Sequence, residues 1–170
     1  SRQQKMLELE AKLHAMLANP PPDNSIVWPT DLLYDGRQFA GYLMPRLQQT
    51  IDLFELYHPK LRQPKFPGSD WKFLHNVARN LTVAFHSLHQ AGYVMGDVNQ
   101  KNVLVKPNST ISLVDADSFQ VKTENGRVFR CLVGMPDYLP RELIGKEFSK
   151  IDRNIHQDTF GLGVLIFQLL

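Results

Sequence analysis

The sequence predicts an α+β fold dominated by helices, and three observations carry that assignment. Apolar residues recur at helical spacing over residues 5–18 and again from Asp70 to about Gln90. Two sets of short apolar runs, each divided by a turn-rich link, have the pattern of strand pairs. An apolar stretch beginning near Gln157 has the length and continuity of a closing helix. The resulting order is helix, strand pair, helices, strand pair, loop and helix, without internal repeats.

The first helix places Met6, Leu9, Leu13, Met16 and Leu17 on one face, with Glu8, Glu10 and Lys12 mostly elsewhere. Asn19 and the run Pro20-Pro21-Pro22 end it. Ile26-Val27-Trp28 and Phe39 to Met44 flank Tyr34-Asp35-Gly36-Arg37 and are expected to pair as strands. Ile51 to Tyr57 is expected to be a short helix, and Pro59 to Gly68 a proline-rich loop. The long helix has Asp70 as N-cap and Gly92 as terminator, with Trp71, Leu74, Val77, Ala78, Leu81, Phe85 and Leu88 on its buried side. Val103-Leu104-Val105 and Ile111 to Val114 form the second strand pair across Lys106-Pro107-Asn108-Ser109-Thr110. Residues 120–155 are expected to be mostly irregular, with a short helix near Arg141 to Ile144.

Composition narrows the class of protein. The chain has 170 residues, 43% of them hydrophobic, enough to bury a core and too many for intrinsic disorder. A net charge of +2 lacks the basic excess of a dedicated nucleic-acid binder. The single cysteine, Cys131, excludes an internal disulfide and a cysteine metal cluster, and it is expected to be structural. His86 and His89 share a helix face, but the six histidines form no metal pattern. No apolar run has the length of a membrane span, so a reducing, cytoplasmic setting is expected. The helical start and the apolar ending are expected of an excerpt from a longer polypeptide.

The stretch that carries chemistry is Met95-Gly96-Asp97-Val98-Asn99-Gln100-Lys101-Asn102, which lies between the long helix and a short apolar strand. Asp97 and Asn102 stand five residues apart, and Asp115 follows Asn102 by thirteen, at the end of the next strand. Phosphoryl transfer from a nucleotide needs a carboxylate beside the acceptor hydroxyl and hard oxygen ligands for the Mg²⁺ on the phosphates. Asp97, Asn102 and Asp115 supply those groups, while each alone is also a common turn-capping residue. Strand alternation puts Asp115 and Asp117 on one face and does not choose between them.

These residues resemble the protein-kinase superfamily, and the resemblance runs over nearly the whole chain. Gly134-Met135-Pro136-Asp137-Tyr138-Leu139-Pro140-Arg141-Glu142 is similar to the family's substrate-docking segment. Asp158-Thr159-Phe160-Gly161-Leu162-Gly163 is similar to the start of the central helix of its large lobe. The wording Gly-Asp-Val-Asn, Asp-Ala-Asp-Ser-Phe and Leu-Met-Pro-Arg is most similar to bacterial kinase-like proteins that also carry helix-hairpin-helix DNA-binding modules. The resemblance implies a kinase-like fold: residues 1–47 as a small-lobe remnant and hinge, and 48–170 as a mostly helical large lobe. It implies ATP and Mg²⁺, with Asp97 and Lys101 as catalytic residues. Asn102 and Asp115 would hold the metal, the spacing from Asn102 favouring Asp115, with Asp117 as a second ligand or hydrogen-bonded support. Met44, Pro45 and Leu47 match the adenine hinge, the Pro45 carbonyl accepting and the Leu47 N–H donating. Glu10, with Glu8 second, matches the helix glutamate that pairs with a strand lysine. That lysine strand and the Gly-rich phosphate loop are absent here and are expected upstream of Ser1.

The departures from the family pattern also carry information. Met95-Gly96 replaces His-Arg, which removes the usual docking arginine for an activation-segment phosphate. Asn99 stands where a lysine is common, and Asp115-Ala116-Asp117 lacks the aromatic and glycine of the usual metal triplet. The implied function is ATP-dependent phosphorylation of protein Ser/Thr hydroxyls, with partners limited to protein substrate and nucleotide. No membrane partner is expected, and nucleic acid only through domains outside these residues. Two alternatives remain: a pseudokinase scaffold, and a small-molecule phosphotransferase of the aminoglycoside or choline kinase type.

Overall fold

A computed structural model describes residues 2–170, with side chains from Gln3 onward. Helix α1 (Arg2–Ala18) leads to an antiparallel hairpin of β1 (Asp31–Asp35) and β2 (Gln38–Leu43), turned at Gly36. Strand β3 (Ile51–Asp52) runs directly into helix α2 (Leu53–Tyr57), followed by α3 (Pro59–Lys65) and the long α4 (Trp71–Gln90). Strands β4 (Val103–Val105) and β5 (Ile111–Leu113) complete a small antiparallel sheet of order β3-β4-β5. A second hairpin, β6 (Val121–Lys122) with β7 (Val128–Phe129), precedes a run of 3₁₀ turns and helix α5 (Ile155–Leu169). The mixture of helices and small sheets is compatible with the expected α+β class.

Several local expectations need correction. Ile26-Val27-Trp28 does not pair with the run ending at Met44, because Pro29 separates it from the hairpin strand and that strand begins at Asp31. The Ile26 segment lies instead along the free edge of β5, where Val27 N–H donates to Leu113 O at 2.9 Å and Leu113 N–H to Ser25 O at 2.7 Å. Ile51 and Asp52 are strand, not the first turn of a helix. Pro59 to Lys65 is helical: Pro59 sits where the first turn has no use for an N–H, and Pro64 falls too late to break more than the last turn. Trp71, at the first position of α4, is 62% exposed and packs towards His75 on the surface. The β6–β7 hairpin was not anticipated, since two-residue strands leave little periodicity.

The long helix otherwise matches its pattern. The Asp70 side chain accepts from Phe73 N–H at 2.8 Å, and Leu74, Val77, Leu81, Ala84, Phe85 and Leu88 are buried along one stripe. Ala91 is the C-cap, and Gly92 follows at φ +83°, a conformation glycine adopts without penalty. Helix α5 starts two residues before the expected Gln157 because Asn154 and Gln157 form a reciprocal capping box. Trp28 joins α1 to the centre: its indole N–H donates to Met16 O at 2.9 Å, and its ring lies against Tyr93 and Phe119.

Two features of α5 fix the loop that follows α4. The carboxylate of Asp158, 1% exposed, accepts from Met95 N–H at 2.7 Å and Gly96 N–H at 2.8 Å, and it also meets His89 Nε2 of α4 at 2.9 Å. Gly161 permits close approach, since a Cβ there would lie 2.8 Å from the Val98 Cβ. Truncating Asp158 leaves two buried N–H groups without an acceptor. Asp158→Ala is therefore expected to lower the unfolding free energy by about 3–5 kcal/mol, read as a fall in the urea midpoint. An unchanged midpoint would contradict this anchoring role.

Candidate functional site

The site is assembled on the loop Val94–Asn102. Val94 and Gln120 exchange backbone hydrogen bonds of 3.3 and 2.8 Å, which fixes the entry to the loop. Gly96 has φ +73°, and a Cβ at this position would meet the Cys131 Cβ at 2.6 Å and its Sγ at 2.8 Å. Both the backbone conformation and the contact demand glycine. Cys131 is buried and donates to Val133 O, and burial raises its thiol pKa, in keeping with a packing role.

Asp97 emerges half-buried from this turn, with its backbone carbonyl held by two side-chain amides. Asn99 Nδ2 donates to Asp97 O at 3.1 Å and Asn102 Nδ2 donates to it at 3.0 Å. Asn102 Nδ2 also approaches the Asp97 carboxylate at 3.3 Å. With its nitrogen committed to Asp97, the Asn102 amide keeps its oxygen for another partner. Asn99 is buried and also accepts from Lys101 N–H at 2.9 Å, so its position in place of a lysine is structural. Val114 N–H donates to Asn102 O at 3.0 Å, tying the loop to the chain just before Asp115.

The acids Asp115 and Asp117 do not share a strand face as alternation implied. Strand β5 ends at Leu113, Asp115 takes the left-handed conformation at φ +67°, and Ala116–Ser118 forms a 3₁₀ turn. The two side chains are thereby separated in role. The Asp115 residue is exposed, yet the protein around its carboxyl raises its pKa. The Ser118 hydroxyl opposes that rise, and the nearby charges of Asp117 and Asp97 add to it. Asp117 is braced: its backbone carbonyl accepts from Lys12 Nζ at 2.7 Å, while burial and the Asp117 carboxylate push up the Tyr42 hydroxyl pKa.

Lys12 was placed on the outer side of α1 with the other charges, and the structure contradicts this. It is only 6% exposed. It stands three residues after Leu9 and four before Met16, so it occupies the helix's inward stripe. Glu10, the expected α1 site residue, instead accepts from the Tyr34 hydroxyl at 2.9 Å beside the β1–β2 hairpin. Lys101 is exposed, and its side chain has no hydrogen bond or ion pair among the described residues. Met44 and Pro45 are exposed and Leu47 half-buried; neither Pro45 O nor Leu47 N–H is hydrogen-bonded among the described residues.

Arg153 is a further residue that spacing did not single out. Its buried guanidinium donates to Gly96 O and to Val133 O, and it lies 3.9 Å from the centre of the Phe148 ring. Its backbone and the Gln120 side chain exchange two hydrogen bonds of 2.7 Å. The arginine missing at position 96 is thus answered by one 57 residues later, bonded to main-chain carbonyls.

Among the described residues, no group of three or more His, Cys, Asp or Glu side chains is placed to hold a metal ion. Mg²⁺ does not need such a cage. It binds through one or two protein oxygens and completes its shell with phosphates and water, and the Asp115 carboxylate and the Asn102 amide oxygen are donors of the kind that could hold it. Burial, with the charges of Asp117 and Asp97 added to it, raises the Asp115 pKa, and a cation at this carboxylate would favour its charged form.

Burial lowers the Lys12 pKa from 10.5 to about 8, partly offset by Cys131 and by the acids Asp117, Asp115 and Glu8. In the unfolded chain Lys12 regains its ordinary value, so between pH 8 and 10.5 the unfolded state binds more protons than the folded one. Stability contributed by this group therefore rises with pH across that window. Below it the burial opposes folding by roughly 3 kcal/mol, of which the bond to Asp117 offsets about 1 kcal/mol. Lys12→Met is expected to raise the melting temperature at pH 7, with the gain shrinking towards pH 10. A variant less stable than wild type at pH 7 would contradict that balance.

No family model matches the chain. Protein kinase YegI of Escherichia coli O157:H7 is 35% identical over 172 aligned positions, which cover 99% of this chain and 26% of that protein. The human serine/threonine-protein kinase MRCK gamma is 39% identical over 92 positions, covering 53% of this chain and 6% of its own. A PAS domain-containing serine/threonine-protein kinase of Mus musculus is 26% identical over 141 positions, 81% of this chain and 9% of its own. The chain thus spans about a quarter, or less, of the length of these relatives. The homologues named protein kinases support a kinase-like family.

Proposed function

We propose that this chain is part of an ATP/Mg²⁺-dependent protein kinase that phosphorylates Ser/Thr hydroxyls. The observation that carries the proposal is the lock between Asp97 and Asn102. One amide nitrogen binds both the carbonyl and the carboxylate of Asp97, while the backbone of Asn102 is bonded to the residue before Asp115. An acid for the acceptor and two oxygen ligands for a metal are so gathered on one loop and one strand end. The bacterial relative named a protein kinase, similar along 99% of the chain, supports a protein acceptor.

In this reading the Asp97 carboxylate accepts a hydrogen bond from the acceptor hydroxyl and receives its proton late in transfer. The hydroxyl oxygen forms a bond to the γ-phosphorus as the bond from that phosphorus to the β–γ bridging oxygen breaks, and ADP leaves. Asn102 and Asp115 would hold Mg²⁺, which neutralises the phosphate charge. Asp117 supports that loop, and Lys101 is the exposed cation available to the transferred group. The Pro45 carbonyl and Leu47 N–H would take the adenine edge, and Met44 would lie against its ring. Glu10 remains the candidate for pairing with a lysine from outside the described residues, by exchange of its bond to Tyr34.

The segment from Gly134 to Glu142 suits a docking surface for an acceptor peptide. Tyr138 is buried, and its hydroxyl donates to Gln168 of α5 at 2.9 Å, so the turn that follows Gly134 is fixed to the helical core. Arg153 holds Val133 without a phosphate, which favours an activation segment ordered by main-chain bonds. A cytoplasmic site of action suits the ATP requirement, and among the described residues no helix is long and apolar enough to cross a membrane. Any nucleic-acid contact, through a helix-hairpin-helix module or otherwise, is assigned to domains outside these residues.

The test is γ-phosphate transfer from labelled ATP with Mg²⁺ by the full-length protein, wild type beside Asp97→Asn. Label is expected on protein Ser or Thr, reduced about 10²–10⁴-fold in the variant. Transfer only to small-molecule hydroxyls would establish the phosphotransferase alternative. No transfer to either acceptor class from a folded, nucleotide-binding protein would leave the pseudokinase scaffold.

A further inference from the structure

A buried lysine that opposes folding needs a reason for its place. Lys12 lies on the inward stripe of α1, in the same row as the packed Leu9 and Met16, where a leucine would bury more favourably. Its ammonium donates to the carbonyl of Asp117 at 2.7 Å, 105 residues away at the centre of the Ala116–Ser118 turn. That turn begins at Asp115, which takes the left-handed conformation at φ +67°. The turn carrying Asp115 is therefore held from α1.

We propose that Lys12 is a positioning residue: by binding the Asp117 carbonyl it fixes the 115–118 turn and so keeps the Asp115 carboxylate aimed at the cation site. This rests on the proposed role of Asp115 in holding Mg²⁺ and assigns to α1 a residue other than Glu10. Groups that hold a ligand through hydrogen bonds are commonly worth 10–100-fold in metal affinity. The ammonium is better suited than a neutral donor, because the charges of Asp117 and Asp115 also favour it.

The test measures Mg²⁺-dependent binding of a fluorescent ATP analogue to the full-length protein, without any requirement for turnover. Lys12→Met, Asp115→Asn and the double variant are compared with wild type, and Lys72→Met on the exposed surface of α4 is the control. Lys12→Met is expected to raise the half-saturating Mg²⁺ concentration about 10-fold, Lys72→Met to leave it unchanged, and Lys12→Met to add nothing in the Asp115→Asn background. Loss of packing alone would act equally in both backgrounds. If Lys12→Met does not fold, Lys12→Gln carries the same comparison. Wild type that binds the analogue without any Mg²⁺ dependence overturns the metal reading itself. Mg²⁺-dependent wild type with an unchanged Lys12 variant, or with additive effects, overturns the role of Lys12 alone.

Discussion

The site depends on one buried carboxylate. Asp158 takes two consecutive backbone N–H groups of the loop that carries Asp97, and it is itself held in the first turn of α5. Those N–H groups lie in a bend that makes no strand or helix, so without Asp158 they would be buried and unbonded. A carboxylate at a helix N-terminus also sits in the favourable field of the helix dipole. Local helix electrostatics and long-range loop geometry are thus satisfied by the same two oxygens. His89 of α4 completes the arrangement, so α4 and α5 converge on the turn before Asp97.

Around this anchor, charge is buried in a consistent way. Arg153 and Lys12 are the buried cations, and each donates to main-chain carbonyls of segments that have no regular ladder of their own. Irregular backbone cannot satisfy its own carbonyls, and a long cationic side chain with several donors supplies what a strand partner would supply elsewhere. Such groups do little for net stability and much for fixing a single loop conformation. The glycine at position 96 belongs to the same device. It admits Cys131 from one side and brings its carbonyl to Arg153 on the other.

What was legible in the sequence follows the range of the interactions involved. Helix α4 was legible because its cap, stripe and terminator lie within one segment, and β4 and β5 because a turn-rich link separates two apolar runs. Asp97, Asn102 and Asp115 were legible from their spacing on a loop and a strand end, and Asp158 only as part of a resemblance. Lys12 was hidden in plain view: its position in the Leu9–Met16 row marked it as inward, but its charge argued for the surface. Arg153, Tyr42 and the Ile26–Leu113 bridge join residues tens of positions apart, and no local pattern encodes such meetings. The separation of Asp115 from Asp117 was missed because strand geometry was extended past Leu113, where a left-handed residue ends it.

On the proposed reading, Asn102 and Asp115 would hold a nucleotide-bound divalent cation beside Asp97. The most direct measurement is paramagnetic broadening in the ¹⁵N spectrum of the full-length protein when Mn²⁺ is added with a non-hydrolysable ATP analogue. The side-chain amide of Asn102 and the backbone amides of Asp115 and Ala116 are expected to broaden first, ahead of those near Glu10 and Lys101. Broadening centred elsewhere, or none at Mn²⁺ concentrations that saturate the nucleotide, would contradict the assignment of this site.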